Sequence, residues 1–219
     1  MNIAIDGPAG AGKSSIAKLV AKKLEFVYID TGAMYRAMAL YFIKNGINTK
    51  EETEVSAHCD EISITITYEN GSQQIFLNGD NVSAEIRNEQ VGNQASVVAA
   101  YGCVREKLVA IQREMAASSD VIMDGRDIGT VVLPDADVKI YLTASSAVRA
   151  QRRYKELQEK GVACDLGKIE EDIILRDKQD MSREISPLKQ AEDAILLDSS
   201  DMGINEVVEQ IISIVKKAD

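Results

Sequence analysis

Five short apolar runs recur along the chain, and each ends in an acidic or small polar residue. They lie at Asn2–Asp6, Phe26–Asp30, Asp120–Asp124, Val138–Thr143 and Ala194–Asp198. Such runs are typical of strands buried on both faces of a parallel sheet. The stretches Lys13–Leu24 and Asn205–Lys217 instead carry apolar residues at helical spacing. Because strands alternate with helices, the pattern predicts an α/β fold with a five-stranded parallel sheet flanked by helices.

One region departs from this rhythm and predicts a small antiparallel insertion. Glu61–Tyr68 alternates strictly between apolar and polar residues, and Asn70-Gly71 follows as a hairpin turn signal. Gln74–Leu77 resumes the strand pattern, and Asn78-Gly79-Asp80 offers a second turn. Ser83–Ala117 then has a largely helical pattern. The sequence therefore predicts an antiparallel meander, followed by helices, inserted into the α/β core.

The length of 219 residues suits one domain that carries insertions, because two independent cores would be cramped. We expect a single domain over residues 1–219, with a first insertion at residues 31–107 that contains the meander. A second candidate insertion, at residues 151–167, is rich in charge and contains Gly161 and Gly167.

The charge balance limits the classes of binding partner. The chain has 25 Lys plus Arg against 35 Asp plus Glu, a formal net charge of −10. Hydrophobic residues make up 45% and charged residues 27%, which excludes wholesale disorder. A protein this acidic is a poor candidate for binding a nucleic acid polymer, which requires a net basic face. A small anion can still bind where the basic residues converge.

Cysteine usage and the absence of targeting signals indicate a reducing compartment. The three cysteines, Cys59, Cys103 and Cys164, are odd in number and follow no metal-binding spacing, so we interpret them as packing thiols. The lone histidine, His58, cannot build a zinc site. The N-terminus lacks a signal-peptide pattern and no run of 18 apolar residues occurs. We expect a cytoplasmic protein with no membrane partner.

A glycine-rich loop joins the first predicted strand to the first predicted helix. It reads Gly7-Pro8-Ala9-Gly10-Ala11-Gly12-Lys13-Ser14 and matches the phosphate-binding pattern G-x-x-x-x-G-K-[ST]. Glycines let backbone N–H groups wrap a triphosphate closely, and Lys13 supplies a charge to the β and γ phosphates. The Ser14 hydroxyl can join a Mg²⁺ shell. The alternative, a glycine-rich turn that only caps a helix, is disfavoured by the strand–loop–helix context.

Asp124 ends the third predicted strand, where a carboxylate of the Walker B type holds Mg²⁺ through water. The alternative is a carboxylate that caps the next turn. Asp6 also ends a strand, and we interpret it as structural support for the phosphate loop.

Arginines collect after the buried strands and around the charged insertion. They are Arg36 after the second strand, Arg126 after the third, Arg149, Arg152 and Arg153 at the start of the insertion, and Arg176 and Arg183 beyond it. Ligands of doubly wound sheets bind beyond the carboxyl ends of the strands, so Arg36 and Arg126 are expected at such a site. Arginines that neutralise two phosphates favour phosphate-to-phosphate transfer, because an anionic acceptor oxygen needs no histidine base.

With these motifs in place, the chain resembles the bacterial cytidylate kinases over nearly its whole length. The segments that carry the resemblance are MNIAIDGPAGAGKSS, YIDTGAMYR, GDNVSAEIRNEQV, MDGRDIGTVVLPDADVKIYLTAS and RDKQDMSREISPL. The phosphate loop is generic to NTPases, whereas DTGAMYR with DGRDIGTVV and an antiparallel insertion between them is specific. The resemblance implies ATP-dependent phosphorylation of CMP and dCMP to the diphosphates.

The resemblance also implies roles for individual residues. ATP would bind at Gly7–Ser15, including Ser15 itself, with Mg²⁺ as cofactor near Ser14 and Asp124, and residues 31–107 and 151–167 would be the CMP-binding insertion and the lid. The residues implied for CMP are Arg36, Arg126 and Arg183 at its phosphate, Ser96, Arg105 and Asp127 at the cytosine edge, Arg176 and Asp180 at the ribose, and Thr31 and Tyr35 beside the nucleotide. The side chains implied to act in catalysis are Lys13, Arg36, Arg126, Arg149, Arg153 and Arg183, of which Arg149 and Arg153, with Arg152, would belong to the lid.

We therefore expect ATP and CMP or dCMP as the partners. We also expect the protein to be a monomer. Three alternatives stay open. The chain could be a kinase for another small phosphoacceptor, such as UMP or a metabolite, or a P-loop switch in which hydrolysis resets a partner interaction. A switch for GTP normally needs a guanine-reading N/T-K-x-D motif, and the strand end at Tyr141–Ser145 lacks it. A nucleic-acid-binding ATPase conflicts with the net charge of −10.

Overall fold

The computed structural model describes residues 1–69 and 72–218, which fold into two units. The first unit comprises Met1–Tyr28 and Ser119–Asp219, and the second comprises Ile29–Ser118. The strands are β1 (Asn2–Asp6), β2 (Val27–Asp30), β3 (Ile64–Glu69), β4 (Ser72–Leu77), β5 (Asp80–Asn81), β6 (Val121–Gly125), β7 (Val138–Thr143) and β8 (Ile195–Asp198). The α-helices are α1 (Lys13–Leu24), α2 (Thr31–Lys44), α3 (Glu52–His58), α4 (Glu89–Val98), α5 (Gly102–Ser118), α6 (Ser146–Glu159), α7 (Leu166–Met181) and α8 (Ile204–Ala218).

The predicted five-stranded parallel sheet is confirmed, with the strand order β2-β6-β1-β7-β8. The central strand β1 pairs in parallel with β6, where Ile5 lies opposite Asp124, and with β7, where Asp6 lies opposite Tyr141. Because all three strands run the same way, their carboxyl ends share one edge of the sheet. That edge carries Asp6 and Asp124 and leads into the phosphate loop.

Helices α1 and α8 pack against each other and against the sheet. Helix α1 buries Ile16 and Val20, and α8 buries Val208, Ile211 and Val215 at helical spacing. Both predicted helices are therefore confirmed, and α8 extends the prediction by one residue at each end. Burying these side chains contributes about 1.5–3 kcal/mol each relative to exposure, which holds α1 and the phosphate loop before it on a rigid base.

The second unit contains the predicted antiparallel meander, with the strand order β3-β4-β5. Strands β3 and β4 pair from Ile64 opposite Leu77 to Glu69 opposite Ser72. The predicted turn Asn70-Gly71 lies outside the described residues. The second predicted turn is confirmed, because Asn78 and Gly79 both have left-handed backbone angles (φ 50° and 93°). Strand β3 begins at Ile64, three residues later than predicted, because Glu61 ends a 3-10 helix, Cys59–Glu61, and residues 62 and 63 connect that helix to the strand.

The region predicted as largely helical, Ser83–Ala117, is confirmed but divided. It contains a short 3-10 helix, Glu85–Arg87, followed by α4 and α5. These helices and α2 enclose an apolar core with the sheet of this unit, centred on Met38, Phe42, Ile75 and Leu108.

Residues 151–167, predicted as a charged insertion, comprise the last nine residues of α6, a connection at residues 160–165 and the first two residues of α7. Helices α6 and α7 pack against each other within the first unit. The role of this segment as a lid stays a prediction. Among residues 1–69 and 72–218, no helix combines the length and apolar character needed to cross a membrane.

Candidate active site

The phosphate loop depends on glycine for its path. Gly7, Gly10 and Gly12 have positive φ angles of 149°, 76° and 90°, which residues with a side chain rarely adopt. At Gly7 a Cβ atom would also lie 1.9 Å from the carbonyl oxygen of Leu142, closer than any Cβ contact tolerates. The loop therefore passes close to the end of β7 and leads directly into α1. The N-terminus of a helix favours a bound anion.

Lys13, the first residue of α1, is buried and folds back over the loop. Its Nζ atom donates hydrogen bonds to the carbonyl oxygens of Gly7 (2.7 Å) and Pro8 (2.8 Å). Burial, reinforced by Arg126, lowers the pKa of the Lys13 ammonium to about 7, although Asp124 and Asp6 oppose this shift. A phosphate bound beside Lys13 would favour the charged ammonium and raise its pKa again. The buried ammonium is therefore suited to binding an anionic ligand.

Ser14 and Asp124 form an oxygen pair beside Lys13. The Ser14 hydroxyl donates to Asp124 Oδ2 at 2.8 Å, and the Tyr28 hydroxyl donates to Asp124 Oδ1 at 2.7 Å. A hydroxyl and a carboxylate next to a phosphate loop are hard oxygen ligands of the kind that Mg²⁺ takes together with water and phosphate oxygens. The residues present therefore fit the predicted metal. In the described part of the chain, no group of three or more His, Cys, Asp or Glu side chains forms a metal cluster.

Asp6 holds the segment that follows β6, a role that the sequence did not predict. Its carboxylate accepts hydrogen bonds from the backbone N–H groups of Ile128 (2.8 Å) and Gly129 (2.7 Å). These residues start a single π-helical turn, Ile128–Val132, directly after Asp127. Burial raises the pKa of the Asp6 carboxyl to about 6, against the lowering effect of the two hydrogen bonds. Asp6 thus fixes the turn that presents Arg126 and Asp127.

Two of the predicted phosphate-binding arginines meet on one buried carboxylate. Arg126 Nε lies 2.9 Å from Asp180 Oδ2, and Arg183 pairs with the other carboxylate oxygen of Asp180. The Asp180 side chain is 2% exposed. Burial alone would raise the pKa of Asp180, but Arg126 and Arg183 together lower it below its usual value, with a smaller effect of Arg176. The cluster carries more positive than negative charge and suits an added anion.

Arg149 connects the phosphate loop to α7. Its guanidinium donates to the carbonyl oxygens of Ala144 (2.8 Å) and Ala9 (2.9 Å), and its Nη2 atom lies 2.7 Å from Asp177 Oδ2. The side chains of Arg149 and Asp177 are only 6% and 13% exposed. One buried ion pair therefore ties α7 to the loop.

The two neighbouring arginines of α6 lie elsewhere. Arg152 donates to the Ser199 hydroxyl (3.2 Å) and carbonyl oxygen (2.6 Å), beyond the end of β8. Arg153 is exposed and pairs with Glu156 at 2.9 Å, one helical turn further on. The structure does not bring either guanidinium to the phosphate loop.

Within the second unit, Arg36 and Ser96 both approach Gly92 on α4. Arg36 Nη1 donates to the Ile86 carbonyl oxygen at 3.3 Å, and a Cβ atom on Gly92 would lie 3.3 Å from the same nitrogen. The Ser96 hydroxyl donates to the Gly92 carbonyl oxygen at 3.4 Å. The missing side chain of Gly92 therefore leaves room for the guanidinium.

Arg105 and Tyr35 form a second contact in that unit. The Arg105 guanidinium lies 5.6 Å from the centre of the Tyr35 ring and donates to the Ala99 carbonyl oxygen at 3.1 Å. Thr31 is buried at the start of α2, which is capped by the Asp30 carboxylate accepting from Ala33 N at 3.0 Å. The buried Arg105 guanidinium against the Tyr35 ring is suited to binding a planar polar ligand.

Comparison with known proteins identifies the family. The sequence model of the cytidylate kinase family matches residues 3–217. The cytidylate kinase of Lactobacillus johnsonii is 51% identical over 99% of this chain and 94% of its own length. That of Thermosipho melanesiensis is 49% identical over 98% of this chain and 96% of its own length. The chain belongs to the cytidylate kinase family.

Comparison with a solved structure supports the fold of this kinase and carries no information about its function. An uncharacterized protein from Eubacterium ventriosum aligns with a TM-score of 0.56 at 12% identity, over 99% of this chain and 98% of that one.

Three residues of this kinase were missed by sequence reasoning. Tyr28 holds Asp124, Asp177 holds Arg149, and Gly92 makes room for Arg36. Tyr28 lies inside the apolar run that predicted β2, where its hydroxyl could have been noticed as a group that needs a partner. Asp177 lies among other charged residues of α7, and Gly92 lies inside α4. Nothing in the sequence around either residue therefore indicates its partner.

Proposed function

We propose that this kinase transfers the γ-phosphate of ATP to CMP and dCMP and thereby forms CDP and dCDP. The full-length similarity to cytidylate kinases carries the choice of substrate class. The phosphate loop with Lys13 and the arginine pair on Asp180 support the chemistry, because they offer separate anion sites within one unit. Phosphoryl transfer needs positioning and charge neutralisation more than covalent help.

On the donor side, the loop Gly7–Ser15 would bind the phosphates of ATP. Lys13 would leave the carbonyl oxygens of Gly7 and Pro8 and place its charge on the transferring group. Ser14 and Asp124 would hold Mg²⁺, which when bound neutralises charge that spreads over the phosphates. The bond between Tyr28 and Asp124 would keep the carboxylate oriented while Ser14 turns toward the metal.

On the acceptor side, Arg126 and Arg183 would bind the phosphate of CMP. In the free protein both are held by Asp180, so they are oriented before the ligand arrives. A dianionic phosphate competes well for two guanidinium groups, and Asp180 would then be free to accept a ribose hydroxyl. The assignments of Arg36 to the same phosphate, of Arg176 to the ribose and of Ser96, Arg105 and Asp127 to the cytosine edge stay predictions.

A panel of phosphoacceptors tests the proposal. Diphosphate formation from ATP should be measured with CMP, dCMP, UMP and AMP. We expect CMP and dCMP to be used with the highest kcat/KM. Preference for UMP or AMP would contradict the assignment, and ATP hydrolysis without any phosphorylated acceptor would favour a P-loop switch.

The lowered pKa of Lys13 predicts a pH dependence. The ammonium is charged below about pH 7 and loses its charge as the pH rises through that value. Because kcat/KM reports ionisations of the free enzyme, kcat/KM for ATP should fall as the pH increases from 6 to 9. Lys13→Arg, whose side chain stays charged, should not show this fall. Identical profiles for the two proteins would contradict the role of the Lys13 charge.

The ion pair between Asp177 and Arg149 predicts a donor-side effect. Asp177→Asn should lower kcat/KM for ATP about 10-fold, because a misplaced loop carries a large rate penalty, while KM for CMP changes little. Asp172→Asn, an exposed carboxylate on the same helix, is the control and should behave like the wild type. Loss of CMP binding alone would contradict this assignment.

The proposed lid predicts ligand-dependent protection. Residues 151–167 should be cleaved by trypsin rapidly in the free kinase and slowly with ATP and CMP analogues bound, because a kinase must exclude water from the γ-phosphate. Cleavage sites should be mapped by mass spectrometry. Equal rates in both states would argue against a lid at this segment.

The remaining expectations concern cellular context. The acidic composition and the cysteine usage support a cytoplasmic enzyme with small nucleotides as its partners. Gel filtration with light scattering tests the expected monomer.

A further inference from the structure

Two of the three cysteines lie side by side in the second unit. Cys59 starts the 3-10 helix after α3, and Cys103 lies in the first turn of α5. Their Sγ atoms are 3.0 Å apart, and both thiols are free. The Ser56 hydroxyl also donates to Cys103 Sγ at 3.4 Å. A disulfide bond is about 2.05 Å long, so the two sulfur atoms need to approach by only about 1 Å.

The two thiols differ in access and reactivity. Cys59 is 4% exposed, and burial, with the hydrogen bond to Cys103, raises the pKa of its thiol to about 12. Cys103 is partly exposed. An oxidant from solution therefore meets Cys103 first. Lys107 lies close to Cys59, where its Nζ atom donates to the Cys59 carbonyl oxygen at 2.8 Å. Its positive charge favours the Cys59 thiolate when that thiolate forms.

We propose that Cys59 and Cys103 form a modification site that small organic disulfides convert to an intramolecular disulfide. In the first step the Cys103 thiolate attacks one sulfur of the disulfide R–S–S–R. It forms a mixed disulfide and releases one RS⁻. In the second step the Cys59 thiolate attacks the Cys103 sulfur, and the second RS⁻ leaves. The protein loses two protons and two electrons, which reduce R–S–S–R to two thiols.

The location of the bond decides its structural effect. It would join the end of α3 to the start of α5 across a long stretch of chain, which restricts the unfolded state more than a short loop does. Both segments already pack in the same core, so the folded unit changes little. Oxidation should therefore raise the midpoint of thermal unfolding by several degrees, on the order of 5–10 °C.

Cys164 supplies the matched control. It lies in the first unit, and its Sγ atom is 4.0 Å from the Tyr154 carbonyl oxygen. A lone thiol of this kind forms a mixed disulfide but has no partner cysteine within its own unit to complete the exchange. The Cys164→Ser variant removes it without touching the proposed pair.

The full-length reduced protein should be incubated with oxidised glutathione and analysed by intact mass and peptide mapping. We expect Cys164→Ser to lose two hydrogen atoms and the wild type to lose the same two, with at most one glutathione added on Cys164. Both proteins should yield a peptide cross-linked between Cys59 and Cys103. Cys59→Ser should instead retain one glutathione on Cys103. Only the proteins with the cross-link should gain thermal stability.

The proposal is overturned if the wild type keeps glutathione on Cys103 without cross-linking, if Cys164 takes part in the bond, or if neither thiol reacts. The peptide map of the wild type decides the matter even where a serine variant folds poorly. The result is independent of nucleotide phosphorylation, because no step of the test uses enzyme activity.

Discussion

Lys13→Ala should reduce kcat for phosphoryl transfer by about 10²–10³-fold, the usual cost of removing one preorganised charge from a transition state. The side chain contacts the loop carbonyl oxygens of Gly7 and Pro8, and in the proposed complex it contacts the transferring phosphate. Steady-state kinetics with ATP and CMP give the size of the loss.

The fold should survive this substitution. Lys13 has a lowered pKa because it is buried, so removing it also removes a charge that is costly to bury. Circular dichroism and thermal unfolding of the variant should match the wild type within a few degrees. Lys22→Ala, an exposed lysine of the same helix, should retain full activity. Near-normal turnover of a folded Lys13→Ala protein would contradict the donor site.

Asp127→Ala should narrow the preference for CMP over UMP by roughly 10- to 200-fold, because mispaired buried polar groups cost about 1–3 kcal/mol each. The Asp127 carboxylate is buried, on the turn that Asp6 holds. It can accept from the exocyclic amine of cytosine, whereas it would face a carbonyl oxygen in uracil. Discrimination would then arise from repulsion as well as attraction.

The competing interpretation is that Asp127 only orients Arg126. In the structure Arg126 pairs with Asp180 through its Nε atom. Under that interpretation CMP and UMP lose activity equally, because only the phosphate contact suffers. The ratio of kcat/KM for the two substrates should be measured in wild type, Asp127→Ala and the exposed control Asp135→Ala. If the ratio is unchanged in Asp127→Ala, Asp127 does not distinguish cytosine from uracil.

The parallel sheet could be predicted because its strands are buried on both faces, so each appears as a short apolar run. The meander was harder to delimit at its start. Ile62 is 1% exposed although it precedes β3, so the alternation of apolar residues begins before the strand does. Alternation reports which side chains are buried, and it does not report where ladder hydrogen bonds begin.

In the candidate site, residues of one continuous segment could be predicted from the sequence, whereas contacts between distant segments could not. The phosphate loop is contiguous in sequence, so Lys13 and Ser14 could be predicted from spacing. Tyr28 and Asp124 are 96 residues apart, and only the pairing of strands brings the hydroxyl to the carboxylate. The bond from Asp6 to the turn at Ile128 likewise crosses between chain segments. A sequence pattern names the residue types of such contacts but does not choose the partners.

The central claim is that the γ-phosphate of ATP passes directly to CMP, and γ-labelled ATP tests it most directly. The kinase should be incubated with the labelled ATP, Mg²⁺ and CMP, and the products separated as CDP and inorganic phosphate. We predict that the label appears in CDP in equal amount to the ADP formed, and that both products decline together in Lys13→Ala. Label found in inorganic phosphate, with CMP unchanged, would contradict the account.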